Sequence, residues 1–297
     1  TLSLIKYADN GTTGATHTED EWTLTATGPT TISGPGNSAA VTDQTVDAGT
    51  YTLSESGGPA GYTPGAWTCV GEGAVGDTAV VPSGETVSCY LTNTAQQPYL
   101  TLVKDVTNDN GGTAQATDWF LLADGPTPIF GLTGDAEISR APVAVGSYLL
   151  AEFGPDGYTA SDWDCGSTPV TGGAVTVDLG ADITCTVNND DQPATLTLVK
   201  DVDPNGTGSG LVPADWTLTA DGPTPITGAG GSPEVTGRTV DAGDYTLSES
   251  GPGGFDPSAW VCQGGVVSGA VVTVPSGGTV ICTITNRAVS PQLTLVK

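Results

Sequence analysis

One short strand pattern that returns along the whole chain constrains the fold more than any other feature. It opens the sequence as Thr1-Leu2-Ser3-Leu4-Ile5-Lys6 and comes back as Tyr99-Leu100-Thr101-Leu102-Val103-Lys104, Thr195-Leu196-Thr197-Leu198-Val199-Lys200 and Gln292-Leu293-Thr294-Leu295-Val296-Lys297. The four lysines set a period of about 97 residues, which takes precedence over any reading of single elements. A unit of that size buries its own core, unlike the short repeats of solenoids that must stack on neighbours. The chain is therefore expected to hold three tandem domains, 1–98, 99–194 and 195–291, with the first strand of a further repeat at 292–297.

The lysines are informative in themselves. Lys and Arg together number seven in 297 residues, and Arg140, Arg238 and Arg287 are the arginines, so every lysine occupies this one repeat position. Lysines that merely solvate a surface would be scattered. Successive side chains of a strand point to opposite faces, so Leu2, Leu4 and Lys6 share a face, as do their counterparts in each copy. The lysine points where the leucines point, into a core.

Between these strands each repeat reads as short runs of Val, Thr, Tyr, Leu and Trp separated by Gly, Pro, Asn and Asp, with no helical period. In the first repeat the strands are expected at 2–6, 22–26, 50–55, 67–70, 78–81 and 86–93, and 43 glycines and 21 prolines punctuate the turns. The pattern predicts an all-β fold of three tandem Ig-like sandwiches. Linkers at 94–98, 190–193 and 287–291 each end in proline, which stiffens a joint.

A net charge of −26 argues against nucleic acid as a partner, because a phosphate backbone needs cationic contacts. No apolar run is long enough to enter a membrane, and no secretion signal is visible. The cysteines fall two per repeat and always 20 positions apart: Cys69 and Cys89, Cys165 and Cys185, Cys262 and Cys282. That regularity predicts one disulfide per domain and an oxidising compartment. No CxxC pair accompanies the single histidine, so neither a metal nor another cofactor is expected.

Two more strands repeat the parity argument. Glu55 shares a face with Tyr51 and Leu53, Glu152 with Tyr148 and Leu150, and Glu249 with Tyr245 and Leu247. On the last strand Asn93 shares a face with Cys89 and Leu91, Asn189 with Cys185 and Val187, and Asn286 with Cys282 and Ile284, whereas Asn188 has the wrong parity. A lysine, a glutamate and an asparagine per domain are costly to bury unless they satisfy one another. Desolvation is expected to lower the lysine pKa and raise that of the glutamate, so that a neutral amine meets a protonated carboxyl. The acid then polarises the carboxamide and shuttles protons while the amine attacks it, expelling ammonia and leaving a Lys–Asn isopeptide bond. The alternative is an uncrosslinked buried Lys–Glu pair capped by the asparagine.

These residues resemble the CnaB-type domains of Gram-positive surface adhesins and pilins, also described as SpaA-like or prealbumin-like. The resemblance rests on the first-strand Leu-x-Leu-x-Lys, the terminal-strand asparagine, and the middle segments that begin Tyr51-Thr-Leu-Ser-Glu55, Tyr148-Leu-Leu-Ala-Glu152 and Tyr245-Thr-Leu-Ser-Glu249, each followed by a turn rich in glycine and proline. It covers all three repeats and implies prealbumin-like sandwiches with the triads Lys6, Glu55, Asn93; Lys104, Glu152, Asn189; and Lys200, Glu249, Asn286, the glutamate acting as catalyst. The disulfide is an addition to that pattern, and no LPxTG signal is present to read an anchor from.

Other candidates are weaker. His17 has no counterpart in the other repeats, and Asp201, Asp203, Asn205 and Gly206 open like a calcium loop but reach Val212 where a ligand is needed, so they read as a turn. The second tryptophan of each repeat, Trp67, Trp163 or Trp260, lies two residues before a cysteine and is expected to pack on the disulfide, with a glycan platform as the alternative. The chain is thus expected to be an extracellular or cell-wall structural segment, a fibre or adhesin stalk and no enzyme beyond its own crosslinking. Its expected partners are further copies of the repeat, met through the strand that ends at Lys297. The competing class is a module that binds a host or partner-cell surface, kept open by the divergence of the second repeat at Ile129-Phe130-Gly131-Leu132.

Overall fold

A computed structural model describes residues 1–71, 76–290 and 292–294. The first repeat contains strands β1 (Leu2–Asp9), β2 (Trp22–Thr27), β3 (Ile32–Pro35), β4 (Gly49–Gly57), β5 (Tyr62–Pro64), β6 (Thr68–Val70), β7 (Thr78–Val81) and β8 (Val87–Ala95). They form two sheets, β1-β8-β5 with β6 also pairing β8, and β3-β2-β4-β7. All six expected strands are present, several running two or three residues further. The two that sequence reasoning missed, β3 and β5, are short edge strands containing proline, which an edge tolerates and an interior strand does not.

Alternation builds the core. Leu2 and Leu4 of β1, Leu24 and Ala26 of β2, Tyr51 and Leu53 of β4, Ala79 and Val81 of β7, and Val87, Cys89 and Leu91 of β8 all face inward and are buried. Cys69 stands directly opposite Cys89 across β6 and β8 and is disulfide-bonded to it, so the bridge ties neighbouring strands of one sheet. The other pairs are Cys165–Cys185 and Cys262–Cys282. Trp67 and Trp260 pack in the cores beside these bridges, while Trp163 is only half-buried.

The second repeat comprises β9 (Tyr99–Thr107), β10 (Phe120–Asp124), β11 (Ile129–Gly131), β12 (Ala141–Pro142), β13 (Gly146–Phe153), β14 (Tyr158–Ala160), β15 (Val170–Thr171), β16 (Ala174–Val177) and β17 (Asp182–Asp191). The third comprises β18 (Ala194–Asp203), β19 (Thr217–Asp221), β20 (Ile226–Ala229), β21 (Arg238–Val240), β22 (Gly243–Ser250), β23 (Phe255–Pro257), β24 (Val261–Gln263), β25 (Val266–Ser268), β26 (Val271–Val274) and β27 (Thr279–Ala288). Its sheets are β21-β18-β27-β23, with β24 on β27, and β20-β19-β22-β26-β25, the plan of the first repeat with β21 and β25 added at the edges. By density of contacts the chain divides into two units: Thr1–Val103, Phe120–Glu152 and Trp163–Thr186 in one, and Lys104–Trp119, Phe153–Asp162 and Val187–Lys297 in the other. The first and third repeats are each whole within a unit, and the second is shared between the two.

The linkers are pinned. In the first unit Gln96 N–H donates to the Gly61 carbonyl (2.8 Å) and its own carbonyl accepts from Gly180 N–H (3.0 Å); in the second, Gln192 repeats both bonds with Gly157 (2.9 Å) and Gly277 (2.7 Å). Gln292, Leu293 and Thr294 carry no strand, and the remainder of the expected fourth strand, Lys297 included, lies outside the described residues.

A buried tyrosine locks each sandwich. Tyr51 Oη donates to the Asp47 carbonyl (2.7 Å) and accepts from Thr30 N–H (3.3 Å), and Tyr148 and Tyr245 make the equivalent pairs with Ala144 and Thr127 and with Asp241 and Thr224. Replacing Tyr51 by Phe strands two backbone groups with no shape change, so native-state hydrogen exchange should show core opening of the first repeat easier by about 1–3 kcal/mol, with the third repeat unchanged.

Candidate functional site

The first and last strands of a repeat are neighbours and run parallel. Lys6 pairs in register with Leu91, and Ala8 with Asn93, so the asparagine sits two residues further along on the same inward face. That offset is about 6.6 Å along the strand, within the reach of a lysine side chain. The third repeat keeps the register, with Lys200 opposite Ile284 and Val202 opposite Asn286. The glutamate arrives from the facing sheet: Glu55 stands opposite Leu24, and Glu249 opposite Leu218, on the strand that also carries the buried tyrosine.

In the first repeat the three side chains meet. Lys6 Nζ lies 2.6 Å from Glu55 Oε1, an ion-pair contact off the hydrogen-bonding direction, and Asn93 Nδ2 donates to Glu55 Oε2 at 2.9 Å. One carboxylate therefore holds amine and carboxamide at once. Lys6 is fully buried and Asn93 nearly so. In the third repeat Lys200 Nζ donates to Glu249 Oε2 at 2.6 Å, and Lys200 and Asn286 are equally buried. Asn93 Oδ1 and Asn286 Oδ1 are buried with no hydrogen-bond partner among the described residues, a costly arrangement for an acceptor.

Sequence reasoning missed the group that roofs the lysine. Trp22, Trp119 and Trp216, all buried, place their rings 4.8, 5.0 and 5.0 Å from Lys6, Lys104 and Lys200 Nζ. A cation over an indole face is favourable, more so when desolvated. A 3₁₀ turn delivers each indole: the acid just before it bonds back to a backbone N–H three residues earlier, Glu21 to Thr18 (3.0 Å), Asp118 to Gln115 (2.7 Å) and Asp215 to Val212 (2.8 Å). The signal was an acid-Trp pair at one place in every repeat. Backbone closes over the lysine stem as well, since a Cβ on Gly36 or Gly230 would come within 2.9 Å of Lys6 Cβ or 2.7 Å of Lys200 Cβ.

Burial pushes the Lys6 ammonium below the usual lysine range, against the opposing pull of Glu55, and Lys200 is lowered by burial in the same way against Glu249 and Asp201. A lowered pKa raises the share of neutral, nucleophilic amine near neutral pH.

The second repeat divides: Lys104 and Asn189 belong to one unit and Glu152 to the other. Lys104 Nζ donates to the carbonyls of Asp105 (3.0 Å) and Val187 (3.2 Å), and Asn189 is buried with Oδ1 lacking a hydrogen-bond partner among the described residues. Lys297 lies outside the described residues. His17 is partly exposed and pairs with Glu21 (2.9 Å). Asp203 and Asn205 form a turn, in which Asn205 N–H bonds to Asp203 Oδ1 (2.8 Å) and Asn205 takes a left-handed φ of 47°.

The family model for a prealbumin-like fold domain matches this chain three times, at residues 1–91, 95–187 and 191–284. Among solved structures, the Bacillus anthracis TIE protein is similar at 15% identity, covering 98% of this chain and 51% of that one with a TM-score of 0.51. The pilus adhesin SpaC of Lactobacillus rhamnosus GG (12% identity, 96% and 43% covered, TM-score 0.30) and two B repeat units of the collagen-binding protein of Staphylococcus aureus (16%, 95% and 74%, TM-score 0.23) are similar at a lower level. The chain spans about half the length of the TIE protein. No curated protein sequence matches it. With its family model matched over three successive stretches, the chain belongs to the prealbumin-like fold domain family, as three tandem copies.

Proposed function

We propose that each repeat closes an isopeptide bond, Lys6 to Asn93, Lys104 to Asn189 and Lys200 to Asn286, and that the chain is a stretch of the stalk of an extracellular fibre or adhesin. The observation that carries this reading is the bridging carboxylate, since Glu55 touches both Lys6 and Asn93 in one buried pocket. The neutral lysine amine attacks Asn93 Cγ. Glu55, having taken the lysine's proton, donates it to the carboxamide oxygen, then takes the proton that the attached amine sheds, passes it to the leaving nitrogen and regains the first proton from the oxygen, so that one C–N bond forms, one breaks and ammonia departs. Glu249 has the same role in the third repeat. The substrate is the domain itself, and no external turnover is proposed.

The pairing is within a repeat. Lys6 and Lys200 each meet the glutamate of their own repeat, which supports this over a shifted register joining a lysine to the preceding asparagine. The surface-fibre reading is supported by the tandem arrangement, one disulfide per repeat and membership of the prealbumin-like family. Among the described residues no helix is long and apolar enough to cross a membrane. Anchoring on a cell surface or wall, and joining to further copies of the repeat, belong to the same proposal.

The benefit is mechanical. Tension enters a repeat through β1 and leaves through β8, and a Lys6–Asn93 bond joins these strands directly. A crosslink closing about 88 residues also stabilises by about 4.6 kcal/mol in the loop-entropy account, against about 3 for the disulfide loop.

Intact mass without reductant should fall short of the sequence mass by one ammonia per repeat, about 17 Da each, and by two hydrogens per disulfide. Glu55→Gln should restore one ammonia and no more; an unreduced wild type at full sequence mass sinks the crosslinks. In single-molecule pulling under reductant, the wild type should show no unfolding step from any repeat. Asn93→Ala should release one step of about 300 Å, the length of the freed loop.

A further inference from the structure

The outward faces of the sandwiches are not alike. In the first repeat the outward positions of β2, β3 and β4 are Thr23, Thr25, Ser33, Thr52 and Ser54; in the third they are Thr217, Thr219, Thr227, Thr246 and Ser248. A hydroxyl pair crosses the strands at the centre of each, Thr25 with Ser33 at 2.7 Å and Thr219 with Thr227 at 2.9 Å. In the second repeat the same positions are Phe120, Leu122, Phe130, Leu149 and Ala151, and Leu122 stands opposite Phe130 where the others place hydroxyls. Phe120, Phe130 and Leu149 are 42%, 56% and 52% exposed, and the two phenyl rings lie 5.8 Å apart. The fold has no use for them, because the inward residues Leu121, Ala123, Ile129, Tyr148 and Leu150 already supply the core. A contiguous apolar face of this kind on an otherwise hydroxyl-rich protein marks an interaction surface.

Its border carries one sign of charge. A hollow of about 300 Å³ beside Phe130 is walled by Pro128, Ala136 and Pro142, and Glu137 is its one charged lining residue. Asp124 and Asp135, on and just after the same strands, are exposed too, and the nearest arginine in sequence, Arg140, is engaged by Asp182 at 2.9 Å. We propose that this face of the second repeat docks a partner protein that presents apolar side chains, one seated in the hollow, flanked by Lys or Arg facing Glu137, Asp124 and Asp135. Docking is by side chains and not by strand addition, because the edge strand β11 is three residues long and preceded by Pro128. A second copy is disfavoured, since each chain carries −26 and the same acidic border. A glycan is disfavoured because phenyl rings and aliphatic groups make up the centre of the face, and its carboxylates stand only at the border. This surface is independent of the stalk reading and of the crosslinks.

The test pairs the wild-type chain with the triple variant Phe120→Thr, Phe130→Ser, Leu149→Thr, which writes the residues of the first repeat into the second; unchanged disulfide content and thermal unfolding certify its fold. A random phage-displayed peptide library panned on the wild type should enrich sequences that combine Phe, Leu or Trp with Lys or Arg. The enriched peptides, made synthetically, should bind the variant at least about ten-fold more weakly and should weaken with Glu137→Lys and with salt. No enrichment, equal affinity for the variant, or peptides without cations would overturn the proposal. So would a wild-type self-association, or glycan-array binding, that the variant abolishes, the first assigning the face to a second copy and the second to a sugar.

Discussion

Everything in the site follows from the adjacency of the first and last strands. Pairing β1 with β8 in parallel sends the lysine and the asparagine of one repeat to the same face, two positions apart, in the interior of a sandwich. Taking an ion out of water costs several kcal/mol even after relaxation, and a Lys–Glu pair recovers that only with good geometry and with its remaining donors satisfied. The first repeat meets the demand partly: Glu55 serves Lys6 and Asn93, an indole covers the ammonium, and Asn93 Oδ1 is left without a hydrogen-bond partner among the described residues. An uncrosslinked site of this kind is a poor resting state. Converting amine and carboxamide into a secondary amide removes the buried cation along with the ammonia, so the same burial that makes the precursor costly favours the product.

Parity made much of this legible. A strand period of two is strict, so Lys6, Glu55 and Asn93 could be assigned to an inward face from sequence alone, and the structure buries Lys6 and Asn93 and brings Glu55 against both. The cysteine spacing was as plain, because a constant interval in three repeats leaves little freedom. Trp22 was not legible as the lysine's roof, since the recurring acid-Trp pair marks a 3₁₀ turn without saying what the indole covers, which depends on how the turn and a close glycine fold over the lysine stem. Strands β3 and β5 escaped because proline and glycine in a short run signal a turn unless the run lies at an edge, which is a property of the finished sheet. The apolar face of the second repeat was half visible: Phe130 and Leu132 stood out, but only the register of β10 on β11 puts Leu122 beside Phe130.

The disulfide and the proposed isopeptide share a strand. In the first repeat β8 lies between β1 on one side and β5 and β6 on the other, and it carries both Cys89 and Asn93 on its inward face. The disulfide secures it to β6, and the proposed isopeptide to β1. The third repeat repeats the plan on β27, with Cys282 and Asn286. A strand held by covalent bonds toward both neighbours cannot peel from either, which is the failure expected of a sandwich pulled by its ends.

With those bonds in place, the extensible part of the chain shrinks to what lies between successive crosslinks. Between Asn93 and Lys104, and again between Asn189 and Lys200, that is ten residues of backbone. Most of them are already spoken for, since β8 runs on to Ala95, β9 starts at Tyr99, and Gln96 is fastened by its N–H to Gly61 and by its carbonyl to Gly180. Gln192 is held in the same way by Gly157 and Gly277. Backbone already extended in strands has little length left to give. The slack that remains at a joint is a residue or two of linker beside a proline, so the compliance of such a stalk under tension would reside in a few backbone hydrogen bonds at each glutamine, which break and reform, while the sandwiches on either side stay folded.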